Sequence, residues 1–98
     1  MTITAKQDAK ALTLFLEGRL DTVTAPELEA AFEKALPGAD SLVLNFEKLD
    51  YISSAGLRVL LSGHKQMSQK GGMKVTNANE LVREVLDVTG FSDILTVE

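Results

Sequence analysis

The chain has 98 residues, of which 45% are hydrophobic and 24% charged, the proportions of one folded domain rather than a disordered segment. Fourteen acidic residues against ten basic give a formal net charge of −4, which disfavours a surface that grips nucleic acid through its phosphates. With no cysteine and one histidine, disulfides, thiolate metal sites and two-histidine metal sites are excluded.

In chain order, Thr2 to Thr4 and Ala11 to Glu17 read as two strands. In the second, Leu12, Leu14 and Leu16 alternate with Thr13, Phe15 and Glu17, a period of two. Gln7 to Lys10 is polar and short enough for a hairpin turn, and Gly18 to Thr24 reads as an irregular connection. Thr24 is placed to N-cap a helix, with Glu27 completing a capping box and Pro26 tolerated in the first turn. Leu28, Ala31, Phe32 and Ala35 recur at helical spacing, and Pro37-Gly38 ends that helix. Leu42 to Phe46 is a short apolar strand. Lys48 to Ser53 leads to a second helix, about Ala55 to Gln69, whose Leu57, Leu60, Leu61 and Met67 share a face with His64. Gly71-Gly72 is a plain stop, and Met73 to Thr76 is a fourth strand. A third helix runs from Asn77 or Asn79 to Thr89, turning Leu81, Val82, Val85 and Leu86 inward, with Gly90 as its C-cap. Ile94 to Val97 closes the chain as a strand.

Strands alternating with helices predict an α/β domain over residues 1–98, with a mixed, mainly parallel β-sheet. Three or four helices are too few to cover both faces, so they are expected mostly on one. No apolar run approaches the ~20 residues that span a bilayer. The start, Met1-Thr-Ile-Thr-Ala-Lys6, lacks the apolar core of a signal peptide. The expectation is a cytoplasmic domain without membrane insertion, cofactor or metal. At this length an enclosed active site would compete with the core, so a surface site is expected.

The segment that stands out is Asp50-Tyr-Ile-Ser-Ser-Ala-Gly-Leu57, where a strand gives way to a helix. Functional groups gather beyond the carboxyl ends of parallel strands, and a helix start offers free amides and positive potential. A serine there can cap the helix, accept a phosphoryl group or act as a nucleophile. The last role is disfavoured. The nucleophile elbow needs glycine on both sides of the serine, and Ile52 stands at the first position. His64 would lie about 15 Å along the helix from Ser54. Gly56 either admits a partner backbone or packs tightly on the sheet. Asp21 leaves a strand at the same edge, where it reads by default as a solvated turn residue and alternatively as a neighbour of the serines. His64 reads as a packed, satisfied histidine, and Lys65 and Lys70 as solvated charges.

These residues carry a resemblance to the STAS domain family and, within it, to bacterial anti-sigma factor antagonists. The resembling stretches are Gly18-Arg-Leu-Asp21, Val43-Leu-Asn-Phe46 and Leu49 to Leu61, with Asn79, Leu86, Thr89, Gly90 and Phe91 near the end. The resemblance implies a protein that does no catalysis itself. It implies an anti-sigma factor that is also a serine kinase as one partner and a phosphatase as another, with no direct nucleic-acid contact. The unphosphorylated antagonist binds the kinase and frees the sigma factor. The family's phosphorylated serine falls on Ser54, with Ser53 a possible second acceptor. The surface implied for the partner comprises Asp21, Thr22, Thr24, Ser53, Ala55, Gly56, Leu57 and Arg58. Ser53 stands where the family's usual aspartate would be, Ala55 replaces a second hydroxyl residue, and Arg58 replaces a small residue. STAS domains also serve as unphosphorylated scaffolds or regulatory subunits in signalling or transport assemblies, which is the alternative the resemblance leaves open.

Overall fold

Leu12, Leu14 and Leu16 in one strand, and Leu42, Leu44 and Phe46 in its neighbour, are all buried, while Thr13, Phe15, Val43 and Asn45 between them are not. One face of the sheet is therefore covered and the other is open, as alternation dictates. The computed structural model describes all residues from Met1 to Glu98. Its elements are β1 (Thr2–Asp8), β2 (Ala11–Leu20), α1 (Ala25–Ala35), β3 (Ser41–Ile52), α2 (Ser54–Met67), β4 (Met73–Thr76), α3 (Glu80–Val88) and β5 (Thr96–Val97). Short 3-10 turns span Leu36–Gly38 and Phe91–Asp93. The strands lie in the order β1-β2-β3-β4-β5, with β1 antiparallel to β2 and every other pair parallel. No helix is long and apolar enough to cross a membrane.

The expected mixed sheet with three helices is present, but two strands run past their expected ends. β2 continues through Gly18, Arg19 and Leu20, and β3 continues to Ile52. The physical reason is irregular pairing. β3 spends 12 residues alongside the 10 of β2, with register shifts between Phe15 and Glu17 and between Gly18 and Arg19. Each shift inserts one extra residue into β3, as a bulge does. The buried side chains of β3 therefore step from Leu42, Leu44 and Phe46 to Leu49 and then Ile52. A period of two becomes a period of three, and an alternation test stops reading a strand.

β1 also extends beyond Thr4 to Asp8, leaving only Ala9 and Lys10 to turn the hairpin. β5 begins at Thr96, because Ile94 and Leu95 N–H both donate to Phe91 O, at 3.0 and 2.7 Å, and so belong to the turn begun by Phe91–Asp93. α2 stops at Met67, two residues short of expectation. α3 starts at Glu80 because the Asn79 side chain caps it: Oδ1 accepts from Val82 N–H at 2.8 Å. The Asn79 amide donates to Leu49 O at 3.0 Å, tying α3 to β3. Of the α3 residues expected inside, Val82 and Leu86 are buried as expected, whereas Leu81 is 50% exposed. Lys70, expected in solvent, donates to Leu36 O at 2.9 Å and Ala39 O at 2.8 Å. It thus satisfies carbonyls that follow α1, where a cation is favoured.

α2 packs beside α1 through Gly63. A Cβ built there would lie 2.6 Å from the ring of Phe32, which is itself fully buried. Alanine normally favours a helix by about 1 kcal/mol over glycine, yet overpacking costs about 1–3 kcal/mol. Gly63→Ala is therefore expected to lower the free energy of unfolding in a denaturant titration. A more stable variant would contradict the assigned contact.

Candidate functional site

The parallel strands β2 and β3 end side by side. Leu20 pairs with Ile52, and the next amide, Ser53 N–H, donates to Leu20 O at 2.9 Å. That bond brings the loop Asp21–Thr24 beside the start of α2, so Asp21 lies near the serines, the alternative to its reading as a plain turn residue.

The loop is built around one carboxylate. Asp21 Oδ1 accepts from Val23 N–H at 3.0 Å and Thr24 N–H at 3.1 Å, the local bonding that makes Asp a turn former. Asp21 N–H donates to Thr24 Oγ1 at 2.9 Å, and that hydroxyl donates to Arg19 O at 2.7 Å. The expected Thr24–Glu27 capping box is therefore absent. Thr24 has helical backbone angles and its side chain makes no cap bond to α1, because its hydroxyl is already committed to Arg19 and Asp21. The Asp21 carboxyl is held below its usual pKa, chiefly by the Thr24 amide, against an opposing contribution from desolvation and with help from Val23, the Thr24 hydroxyl and Arg19.

Arg19 and Tyr51 complete this corner, and the sequence did not mark either as part of the site. They are cross-strand partners, with the guanidinium 4.5 Å from the ring centroid and its Nε 3.7 Å from Asp21 Oδ2. The signal for them was Gly18-Arg-Leu-Asp21 itself, hidden by ending β2 at Glu17.

At the start of α2 the two serines differ. Ser53 occupies the N-cap position, with extended backbone, but its side chain makes no cap bond. Its Oγ is buried and has no hydrogen-bond partner. Ser54 is the first helical residue and is exposed. Capping therefore accounts for neither hydroxyl, and no side chain serves the first-turn amides of α2. Ala55 is half-buried and Arg58 exposed. Together with Thr22, Ala25, Pro26, Glu29 and Val59 they line a shallow groove between α1 and α2.

Two residues expected at the partner surface face inward instead. A Cβ on Gly56 would lie 2.7 Å from Leu20 Cγ and 3.1 Å from Ile52 Cγ1. Leu57 is 4% exposed. Gly56 is thus required by close packing of α2 onto the strand ends, which decides between its two readings. Leu57 joins the core. Both seat the site rather than offer it surface.

His64 lies in the second half of the same unbroken helix, about 15 Å from Ser54 at 1.5 Å per residue, so it cannot deprotonate that hydroxyl. Contrary to expectation it is not satisfied: Nδ1 is buried without a partner. No cluster of three or more His, Asp or Glu side chains is arranged to hold a metal ion.

A carboxylate whose pKa is depressed by folding adds stability above its unfolded pKa, and that stability is lost as pH falls through the folded value. Asp21→Asn keeps the acceptor oxygen and removes the charge. Native protein is expected to exceed this variant in stability at neutral pH, with the gap closing below about pH 4. Denaturant titrations at the two pH values check this; an equal gap at both would contradict a role for the charge.

Known proteins are similar to this chain in sequence and in fold. The sequence matches the STAS domain over residues 2–98. BtrV of Bordetella bronchiseptica is 36% identical over 99 residues, covering 99% of this chain and 85% of that protein. The anti-sigma-B factor antagonist of Bacillus subtilis is 29% identical over 102 residues, covering 99% and 90%. Among solved structures, the Bacillus anti-sigma factor antagonist SpoIIAA superposes with a TM-score of 0.84 in its unphosphorylated form, at 19% identity and covering 99% of this chain and 88% of that one. Its phosphorylated form gives 0.75, at 18% identity and covering 99% and 91%. The match to the family over residues 2–98 and the shared fold agree: this chain belongs to the STAS domain family.

Proposed function

We propose that this protein is an anti-sigma factor antagonist, and that a serine kinase partner switches it off by phosphorylating Ser54. The observation that carries the reading is the contrast at the start of α2, where the Ser54 side chain is exposed while the Ser53 Oγ is buried. The names of the B. subtilis relative and of SpoIIAA support the antagonist role, and the phosphorylated SpoIIAA structure supports a phosphate-based switch. The protein is a substrate and a binding module here, not a catalyst.

In the step itself, Ser54 Oγ attacks the γ-phosphorus of a nucleoside triphosphate. The Oγ–P bond forms, the bond to the bridging oxygen of the diphosphate breaks, and the serine proton passes to a base on the kinase. The product gains about −1.5 to −2 charge, carrying the formal −4 toward −6. That charge sits on the first turn of α2, whose uncapped amides and positive dipole end favour it. The helix is thus stabilised, not melted. What changes is the surface: a small hydroxyl beside the Asp21–Thr24 loop becomes a bulky dianion. An apolar or acidic face on the anti-sigma factor then loses its fit. A phosphatase that removes the phosphate restores binding, and a cytoplasmic location follows from such partners.

Incubation with the kinase and ATP, followed by peptide mass spectrometry, is expected to place the phosphate on Ser54. Calorimetric titration against the anti-sigma factor is expected to show near-native affinity for Ser54→Ala. For Ser54→Asp the affinity should fall about tenfold or more, equivalent to about 1.4 kcal/mol. Equal affinity for both variants would remove the switch, and an unlabelled Ser54 would favour a constitutive scaffold.

A further inference from the structure

Arg58 is an exposed cation without a counter-charge. The chain forms two ion pairs, Arg19–Asp21 and Lys74–Glu98, and Arg58 is in neither. The nearby Arg19 is already engaged by Asp21 and by the ring of Tyr51. Across the groove from Arg58, Glu29 on α1 is also exposed, and the two stay beyond ion-pair distance.

The position of Arg58 on α2 is specific. It follows Ser54 by four residues, one helical turn, so the two side chains share an exposed face. Helical side chains lean toward the N-terminus, which carries the Arg58 side chain back over the turn bearing Ser54. An acidic group at one position with a basic group four residues later is the favourable order on a helix. A guanidinium also presents a planar fork of donors that matches phosphate oxygens in pairs, which an ammonium does not.

Resting on the reading of Ser54 as the acceptor, we propose that Arg58 is the intramolecular counter-ion of phosphorylated Ser54. In the unphosphorylated protein the guanidinium is free to meet a carboxylate on the anti-sigma factor at the groove between α1 and α2. In the phosphorylated protein it is folded back onto the phosphate. One modification then does two things: it places a dianion on the contact surface, and it withdraws the cation that the partner would use. Thr22, Ala25, Pro26, Ala55 and Val59, the uncharged part of the groove, cannot replace that charge.

The pairing can be measured without any kinase, on full-length protein with phosphoserine installed at position 54 during translation. Phosphorus NMR then follows the second ionisation of the phosphate, ordinarily near pH 6. The native sequence is expected to ionise at lower pH than Arg58→Gln, by about 0.3 pH units or more, with Arg58→Lys in between. The difference should shrink in about 1 M salt, where exposed charges are screened. Coincident titration curves for the native sequence and Arg58→Gln would overturn the pairing. A kinase that labels a different residue would overturn the reading of Ser54 and leave these curves unchanged, so the two failures are told apart.

Discussion

The parallel pairing of β2 with β3 is the constraint from which the rest of the molecule follows. It buries the leucines of both strands on one face and brings both strand ends to one edge. A single bond beyond the pairing, from Ser53 N–H to Leu20 O, then holds the start of α2 against the Asp21–Thr24 loop. Functional groups in open α/β sheets collect at this edge, and the candidate site lies there.

The edge is held stiffly from below. The two extra residues of β3 rotate Leu49 and Ile52 into the core, and Gly56 lets α2 descend onto Leu20 and Ile52. Arg19, Asp21, Tyr51 and Thr24 brace the loop through hydrogen bonds, an ion pair and a cation–π contact. Against that background Ser54 and Arg58 are exposed on the first turns of α2, with Ala55 half-buried between them. A rigid support with a small reactive surface suits a protein whose chemistry is performed on it by a partner, since binding then needs little reordering of the chain.

Much of this was legible in the sequence, and the failures have a common cause. Regular periodicity revealed α1, α2, α3 and Leu12, Leu14 and Leu16 of β2. The Ser-Ser-Ala-Gly segment marked the candidate site because hydroxyls and glycine at a helix start are chemically distinctive. What could not be read was anything set by pairing between distant segments. The far halves of β2 and β3 were lost because bulges break alternation. Arg19 and Tyr51 were missed with them, since their contact exists only across strands. Thr24 resembled a helix cap from local spacing alone, whereas its hydroxyl is claimed by Arg19 and Asp21. Gly56 allowed two readings until the neighbouring Leu20 and Ile52 decided for packing. Lys70 resembled any exposed lysine until the fold brought the carbonyls of Leu36 and Ala39 to it.

A phosphate that alters the surface while leaving the scaffold in place is the central claim. Backbone amide chemical shifts of the unphosphorylated and Ser54-phosphorylated protein test it most directly. Changes are expected only at residues 21–25 and 53–59, with the core amides of Leu44, Val75 and Leu86 unmoved. Shifts spread through β4 and α3 would instead mean that phosphorylation reorganises the fold, and would contradict that claim.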